Sequence, residues 1–123
     1  MSKVTLEIAV FSVQSALDAI QAGAHRIELC ENPNEGGTTP SYGSLLAMSK
    51  QQTVPVFPII RPRGGDFLYT EMEFQIMKQD VIVAKELGFK GVVIGLLKSD
   101  GRIDKIRTAE LVSLAKPMQV TFH

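Results

Sequence analysis

The sequence has 123 residues, of which 45% are hydrophobic and 21% charged, and this balance is typical of a single soluble globular domain. Thirteen basic residues offset thirteen acidic ones, which argues against a nucleic-acid surface, and no uncharged apolar stretch approaches the roughly 18 residues of a membrane span. Cys30 is the single cysteine, so an internal disulfide is excluded. Because the start of the chain also lacks the apolar segment of a signal peptide, the sequence predicts a cytoplasmic protein.

Short β-rich runs alternate with amphipathic helical stretches along the chain. The predicted strands occupy residues 4–10, 26–30, 54–60, 91–97 and 118–123. The predicted helices begin after Ser12, Ser41, Thr70 and Asp104, whose side chains can accept hydrogen bonds from the free amides of a first helical turn. Glu73 completes a capping box with Thr70, and the fourth helix is predicted over 105–115. The repeating unit is therefore the strand and crossover helix of a parallel α/β fold.

Two carboxylates inside otherwise apolar strands help to distinguish an open sheet from a barrel. Strand alternation places Glu7 with Ala9 on one face, and Glu28 with Cys30 on the same face of the next strand. The opposite face carries the apolar side chains of Leu6, Ile8, Val10, Ile27 and Leu29. An unpaired charge is costly beneath apolar helices but can be solvated inside a barrel. The pattern therefore predicts parallel βα repeats, five strands and four helices, that form part of a (β/α)₈ TIM barrel.

Five strands are little more than half of an eight-stranded barrel, and the last predicted strand reaches His123. We therefore expect residues 1–123 to form a single partial barrel domain. We expect it to be truncated, or to use a second copy of the chain, as a homo-oligomer, to cover its sheet edges. A complete small five-stranded α/β sheet is the alternative.

Polar side chains fall in or just beyond the predicted strands, whose carboxyl ends carry the functional sites of parallel α/β proteins. These residues are Glu7, Glu28, Cys30, Arg61, Arg63, Asp66 and His123. Arg61 and Arg63 belong to the segment P-I-I-R-P-R-G-G-D-F (58–67), and guanidinium groups bind anions through fixed pairs of donors. The sequence thus predicts a substrate or anion site at Arg61, Arg63 and Asp66, with a solvated loop as the alternative.

The remaining candidates carry proton-transfer or metal chemistry. Glu7, Glu28 and His123 are candidate catalytic residues, since neighbouring carboxylates can differ in pKa enough to serve as acid and base. Glu7 and Glu28 have a second interpretation as members of a buried ionic network with the two arginines. Cys30 and His123 are candidate ligands for Cu(I) or zinc because a thiolate is a soft ligand, and a buried hydrophobic cysteine is the alternative.

Three segments closely resemble the CutC family of copper-homeostasis proteins: E-L-C-E-N-P-N-E-G-G-T-T-P-S (28–41), P-I-I-R-P-R-G-G-D-F-L-Y (58–69) and V-T-F-H (120–123). The resemblance spans essentially the whole chain. It implies a cytoplasmic (β/α)₈ barrel that is associated with copper tolerance and Cu(I) binding, and for which no enzymatic reaction is established. Family members continue beyond V-T-F-H into further βα units, so the chain resembles the N-terminal half of the family fold.

The resemblance implies copper as the cofactor and carries the seven site residues over to this chain. Relatives often have a cysteine in strand one, where this chain has Ala9 and Val10, so Cys30 is the sulfur ligand that remains. The predicted function is the handling of Cu(I) by Cys30 with His123 or with a partner subunit.

Two other hypotheses stay open. One is a barrel enzyme that acts on an anionic small molecule, in which Arg61 and Arg63 hold the anion and Glu7, Glu28 or His123 moves the proton. The other is a chain without activity that serves as a scaffold.

Overall fold

In the computed structural model, which describes residues 4–123, strands and helices alternate as the sequence predicts. The elements in chain order are β1 (Glu7–Val10), α1 (Val13–Gln21), β2 (Arg26–Leu29), a 3₁₀ turn (Pro33–Glu35), α2 (Tyr42–Ser49), β3 (Val56–Pro58), α3 (Glu71–Glu86), β4 (Gly91–Ile94), α4 (Lys105–Ala115) and β5 (Gln119–Phe122). The strands are shorter than predicted, most clearly β3, because Pro55 and Pro58 have no amide hydrogen to donate to a neighbouring strand.

The helices begin at the capping residues that the sequence predicts, Ser12, Ser41, Thr70 and Asp104. The cap of α3 is reciprocal. The amide of Glu73 donates to the Thr70 hydroxyl at 3.1 Å, and the amide of Thr70 donates to the Glu73 carboxylate at 2.8 Å. Because such caps satisfy amides that the helix itself leaves unpaired, they define where each helix starts.

All strand pairs are parallel, and strands that are neighbours in sequence are neighbours in space. β1, β2 and β3 form one ladder, and β4 pairs with β5 in another. The ladders meet at a parallel bridge between Ile59 and Val93, where the amide of Ile60 donates to the carbonyl of Val93 at 2.8 Å. Consecutive parallel strands joined by helices form part of a TIM barrel, which confirms the predicted fold class.

The two faces of the strand layer carry different side chains. The face toward the helices forms the larger apolar core, to which Val10, Ile27, Leu29, Val56 and Val92 contribute. The opposite face, which we call the lumen face, carries a separate buried cluster of Cys30, Phe57, Ile59 and Val93. Glu28 shares that face with Cys30, as strand alternation predicts. Leu6, predicted to pack against the helices, precedes the paired part of β1 and is instead 48% exposed.

Gly91 makes room on the lumen face for the ring of Phe57. A Cβ on Gly91 would lie 2.6 Å from two ring carbons of Phe57 and 2.7 Å from the carbonyl oxygen of Gln119. The guanidinium of Arg26 stacks on the same ring, with its Cζ 5.0 Å from the ring centroid. The Phe57 ring therefore packs between the guanidinium of Arg26 and the backbone of Gly91.

We predict that Gly91→Ala lowers the free energy of unfolding by about 1–3 kcal/mol, because the new methyl group forces Phe57 or the backbone to move. Urea denaturation measures this change. Gly43→Ala is the matched control, since the nearest atom to its new Cβ is the Ser41 hydroxyl at 3.9 Å. That control should be neutral or stabilising by up to about 1 kcal/mol, as expected for alanine in a helix. Equal stability of the two variants would contradict the close approach at Gly91.

Candidate functional site at the lumen mouth

Glu7 lies toward the amino ends of the strands rather than the carboxyl ends. It is the first residue of β1 and is opposite Arg26, the first residue of β2, whereas Ala9 is opposite Glu28. The Glu7 carboxylate accepts a hydrogen bond from Arg26 Nε, and the two groups form an ion pair. The structure therefore gives Glu7 a partner on the adjacent strand instead of the arginines that follow β3. Its proton-transfer role stays a prediction.

Glu28 is half-buried on the lumen face. It lies opposite Ala9 and is therefore two residues nearer the carboxyl ends of the strands than Glu7. Burial raises the pKa of its carboxyl group above the usual range, and the negative charge of Glu7 raises that pKa further. A carboxyl group with a raised pKa keeps its proton to higher pH, as a general acid must. These surroundings favour the predicted role of Glu28 as a proton donor, which remains a prediction.

Cys30 follows β2 directly and is 3% exposed, in the apolar cluster of the lumen face. The backbone of Gly37 packs against it, because a Cβ on Gly37 would lie 3.3 Å from both Cβ and Sγ of Cys30. Burial raises the pKa of the thiol to about 12, and the charge of Glu28 contributes to the increase. The thiol is therefore protonated at neutral pH and is shielded from solvent.

Arg61 is only 6% exposed, and its guanidinium donates to backbone carbonyls of two loops. Nη1 donates to the carbonyl oxygen of Gly37 at 2.9 Å and to that of Glu35, and Nη2 donates to the carbonyl oxygen of Gly65 at 2.8 Å. Its Cζ lies 4.9 Å from the ring centroid of Phe67. Within residues 4–123, Nε is buried without a hydrogen-bond partner. The protein thus binds most of the guanidinium and leaves the N–H of Nε buried and without an acceptor among these residues.

Arg63 and Asp66 stabilise the loop between β3 and α3. Arg63 Nε donates to the Glu73 carboxylate at 2.6 Å, and Nη2 donates to the Asp66 carboxylate at 3.1 Å and to the carbonyl of Leu68 at 2.8 Å. The bond to Glu73 is the main reason that the pKa of Arg63 is raised. These contacts join the loop to the first turn of α3. Anion binding by Arg63 and Asp66 would compete with them and stays a prediction.

His123 lies at the carboxyl end of β5, against the loop that carries Phe67. The two rings meet edge to face with centroids 5.1 Å apart. Gly95 permits this approach, since a Cβ there would lie 3.1 Å from ring atoms of His123. Burial lowers the pKa of His123, and the positive charge of Arg61 lowers it further. The imidazole is therefore neutral at pH 7, the form that can accept a proton or bind a metal ion.

We call Cys30, Arg61, Phe67 and His123 the lumen mouth, since all four lie beyond the carboxyl ends of their strands. Two strands, β3 and β4, separate β2, which precedes Cys30, from β5, which precedes His123. Among residues 4–123, no three His, Cys, Asp or Glu side chains are grouped so that they could hold a metal ion. The mouth therefore offers a thiol and an imidazole on separate strands rather than a preformed metal cage.

Four residues that shape the site were not predicted from the sequence: Arg26, Gly37, Phe67 and Gly95. Strand alternation could have placed Arg26 beside Glu28 on the lumen face. The glycines matter through what packs against them, and a single sequence gives no sign of that. Phe67 belongs to the 58–67 segment, but its stacking between Arg61 and His123 depends on the path of the loop.

The fold and the site define a class of protein, a parallel βα partial barrel with charged side chains in its lumen and a thiol, a guanidinium and an imidazole at its mouth. The sequence profile of the CutC family matches residues 4–123, and the chain belongs to that family. It is 54% identical over 118 residues to a CutC family protein of Photorhabdus laumondii and 53% identical over 119 residues to one of Edwardsiella ictaluri.

These alignments cover 96% and 97% of this chain but 48% and 47% of the relatives. The chain therefore spans about half the length of the curated relatives it matches. A solved CutC structure from Streptococcus agalactiae, of a protein provisionally named for copper homeostasis, is 32% identical with a TM-score of 0.91. That match covers 98% of this chain and 59% of the other. Within residues 4–123, no helix is both long and apolar enough to cross a membrane.

We predict that Cys30 reacts at pH 8 with iodoacetamide about a thousandfold more slowly in the native chain than in the unfolded chain. The reason is that the pKa of about 12, against an ordinary value of 9.0, leaves about a thousandth as much thiolate, and burial slows the reaction further. Glu28→Gln should speed the native reaction by lowering the thiol pKa, and the exposed Glu86→Gln should not. A native rate near that of the unfolded chain would contradict the shielded thiol.

Proposed function

We propose that this chain serves copper homeostasis in the cytoplasm, with Cu(I) as the ion that it handles. The support is its membership of the CutC family and the name of the Streptococcus agalactiae relative. Because the chain spans about half of its curated relatives, the proposal concerns the part of the fold that this chain forms. The observation that carries it is the thiol of Cys30, which lies at the lumen mouth inside an apolar cluster.

Cys30 is the sulfur ligand that Cu(I) would use, since this soft ion prefers thiolate and imidazole over carboxylate and guanidinium groups. The neutral ring of His123 is suited to bind as the nitrogen ligand. Because Cys30 and His123 follow different strands, the second ligand in our proposal is either His123 or a group from a partner subunit of a homo-oligomer. The raised pKa of the thiol opposes binding, because Cu(I) must displace a proton that is held to about pH 12.

An anaerobic competition titration against a chromogenic Cu(I) chelator tests this proposal. We predict stoichiometric binding that is lost in Cys30→Ser and kept in His25→Gln, which changes an exposed imidazole at the amino end of β2. Since one thiol proton is released, the apparent affinity should rise about tenfold per pH unit between about pH 7 and pH 9. Binding no tighter than nonspecific binding, or binding unchanged in Cys30→Ser, would contradict the copper role.

The second candidate function is an enzyme that acts on an anionic small molecule. The observation that favours it is the buried N–H of Arg61 Nε, which has no partner in the described part of the chain and would gain an acceptor from an anion that enters the mouth. In this proposal Arg61 holds the anion, with Arg63 and Asp66 around it, and Glu28 or His123 transfers the proton. Inorganic phosphate should then bind in calorimetry to wild type and Cys30→Ser alike, and at least tenfold more weakly to Arg61→Lys. Equal binding by Arg61→Lys would count against this candidate.

A further inference from the structure

A cavity of about 390 Å³ lies at the amino ends of the strands, away from the lumen mouth. Segments next to the start of all five strands contribute to its lining, which includes His25, Arg26, Phe57, Lys90, Pro117 and Gln119. This volume is within the roughly 300–1,000 Å³ of small-molecule sites in proteins. None of these residues has a part in the functions proposed above.

The apolar wall of the cavity is well defined. Phe57 is 2% exposed and its ring is held between Arg26 and the bare backbone of Gly91. Phe57 also belongs to the buried cluster that contains Cys30, so its ring lies between the cavity and the mouth. Pro117 adds a second apolar surface to the lining. The exposed rings of Pro55 and Pro117, with the mostly covered Phe57 behind them, give the lining a relatively flat apolar surface that suits a planar apolar group.

The polar part of the cavity carries one uncompensated positive charge. Glu7 forms an ion pair with Arg26 and offsets its charge. Lys90 lines the cavity as well, and no carboxylate among residues 4–123 forms a salt bridge with it. The amide of Leu6 donates to Nδ1 of His25 at 2.8 Å, so a neutral His25 ring carries its hydrogen on Nε2 and can donate it. Lys90 Nζ and His25 Nε2 are thus among the donor groups of the lining residues that could bind a ligand.

We propose that this cavity binds a small planar monocarboxylate. Lys90 supplies the opposite charge, His25 Nε2 donates to the carboxylate, and the apolar body of the ligand packs mainly against Pro55 and Pro117. A monoanion matches the single uncompensated charge, whereas a phosphate dianion would leave a negative charge without a partner. Because the lining has an apolar part, the cavity should bind a monocarboxylate with an apolar body more tightly than acetate, which has little apolar surface to bury. The site is distinct from the copper and anion candidates at the mouth, and its existence does not depend on either.

Titration of the ¹⁵N-labelled chain with benzoate, at constant ionic strength, tests the proposal. We expect saturable shifts of the backbone amides of His25, Lys90 and Gln119. Benzamide, a neutral molecule of nearly the same shape, and acetate should each bind at least tenfold more weakly than benzoate. Lys90→Gln should weaken benzoate binding at least tenfold. Lys105→Gln, which changes an exposed lysine at the start of α4, should stay within twofold of wild type.

Cys30→Ser should bind benzoate as wild type does, which separates this result from the test of copper binding. The proposal is overturned if benzamide binds as well as benzoate, or if Lys90→Gln retains its affinity. It is also overturned if the shifts fall on residues 61–69 instead of the amino ends of the strands, or if no saturable shift appears. Because Lys90 is exposed, its replacement should leave the protein folded, with an amide spectrum like that of wild type. A loss of benzoate binding then reports on the site.

Discussion

The buried guanidinium of Arg61 joins two loops across the end of the barrel, and the geometry of the lumen mouth depends on that contact. Its donors bind carbonyl oxygens of Glu35 and Gly37 in the loop after β2, and of Gly65 in the loop after β3. A charge buried to 6% exposure requires such acceptors, because an unsatisfied guanidinium would cost far more than the hydrogen bonds contribute. The same contacts hold Gly37 against the thiol of Cys30 and Phe67 beside His123.

Close packing on the lumen face also sets the chemistry of the groups that it positions. Glycines allow Phe57, Cys30 and His123 to lie against backbone, and the resulting burial raises the pKa of the thiol and lowers that of the imidazole. Cys30 is consequently protonated and unreactive at neutral pH. The imidazole is already in the form that binds metal. A copper role therefore requires the ion to offset the cost of thiol deprotonation, whereas an anion role requires the anion to reach the buried Nε of Arg61.

Much of the fold was predictable because local rules decide it. Capping side chains and hydrophobic periodicity predicted the helix starts, and strand alternation predicted that Glu28 and Cys30 share the lumen face. The site was less predictable because its contacts join distant segments. The sequence predicts that Arg61 binds an anion. In the structure, however, most of its donors bind backbone carbonyls, up to 26 residues away along the chain. The partner of Glu7 depends on the register of β1 and β2, which sequence alone does not specify.

Hydrogen exchange of Arg61→Lys tests most directly whether Arg61 organises the mouth. A lysine keeps the charge but cannot reach the same set of carbonyls as a guanidinium, so about 1 kcal/mol per lost hydrogen bond should disappear. We predict that the amides of Gly37 and Thr39 exchange at least tenfold faster, while that of Cys30, which donates to Val10 at 2.9 Å, is unchanged. Arg63→Lys, the matched control, should leave Gly37 and Thr39 unaffected. Unchanged exchange at both amides in Arg61→Lys would contradict the account.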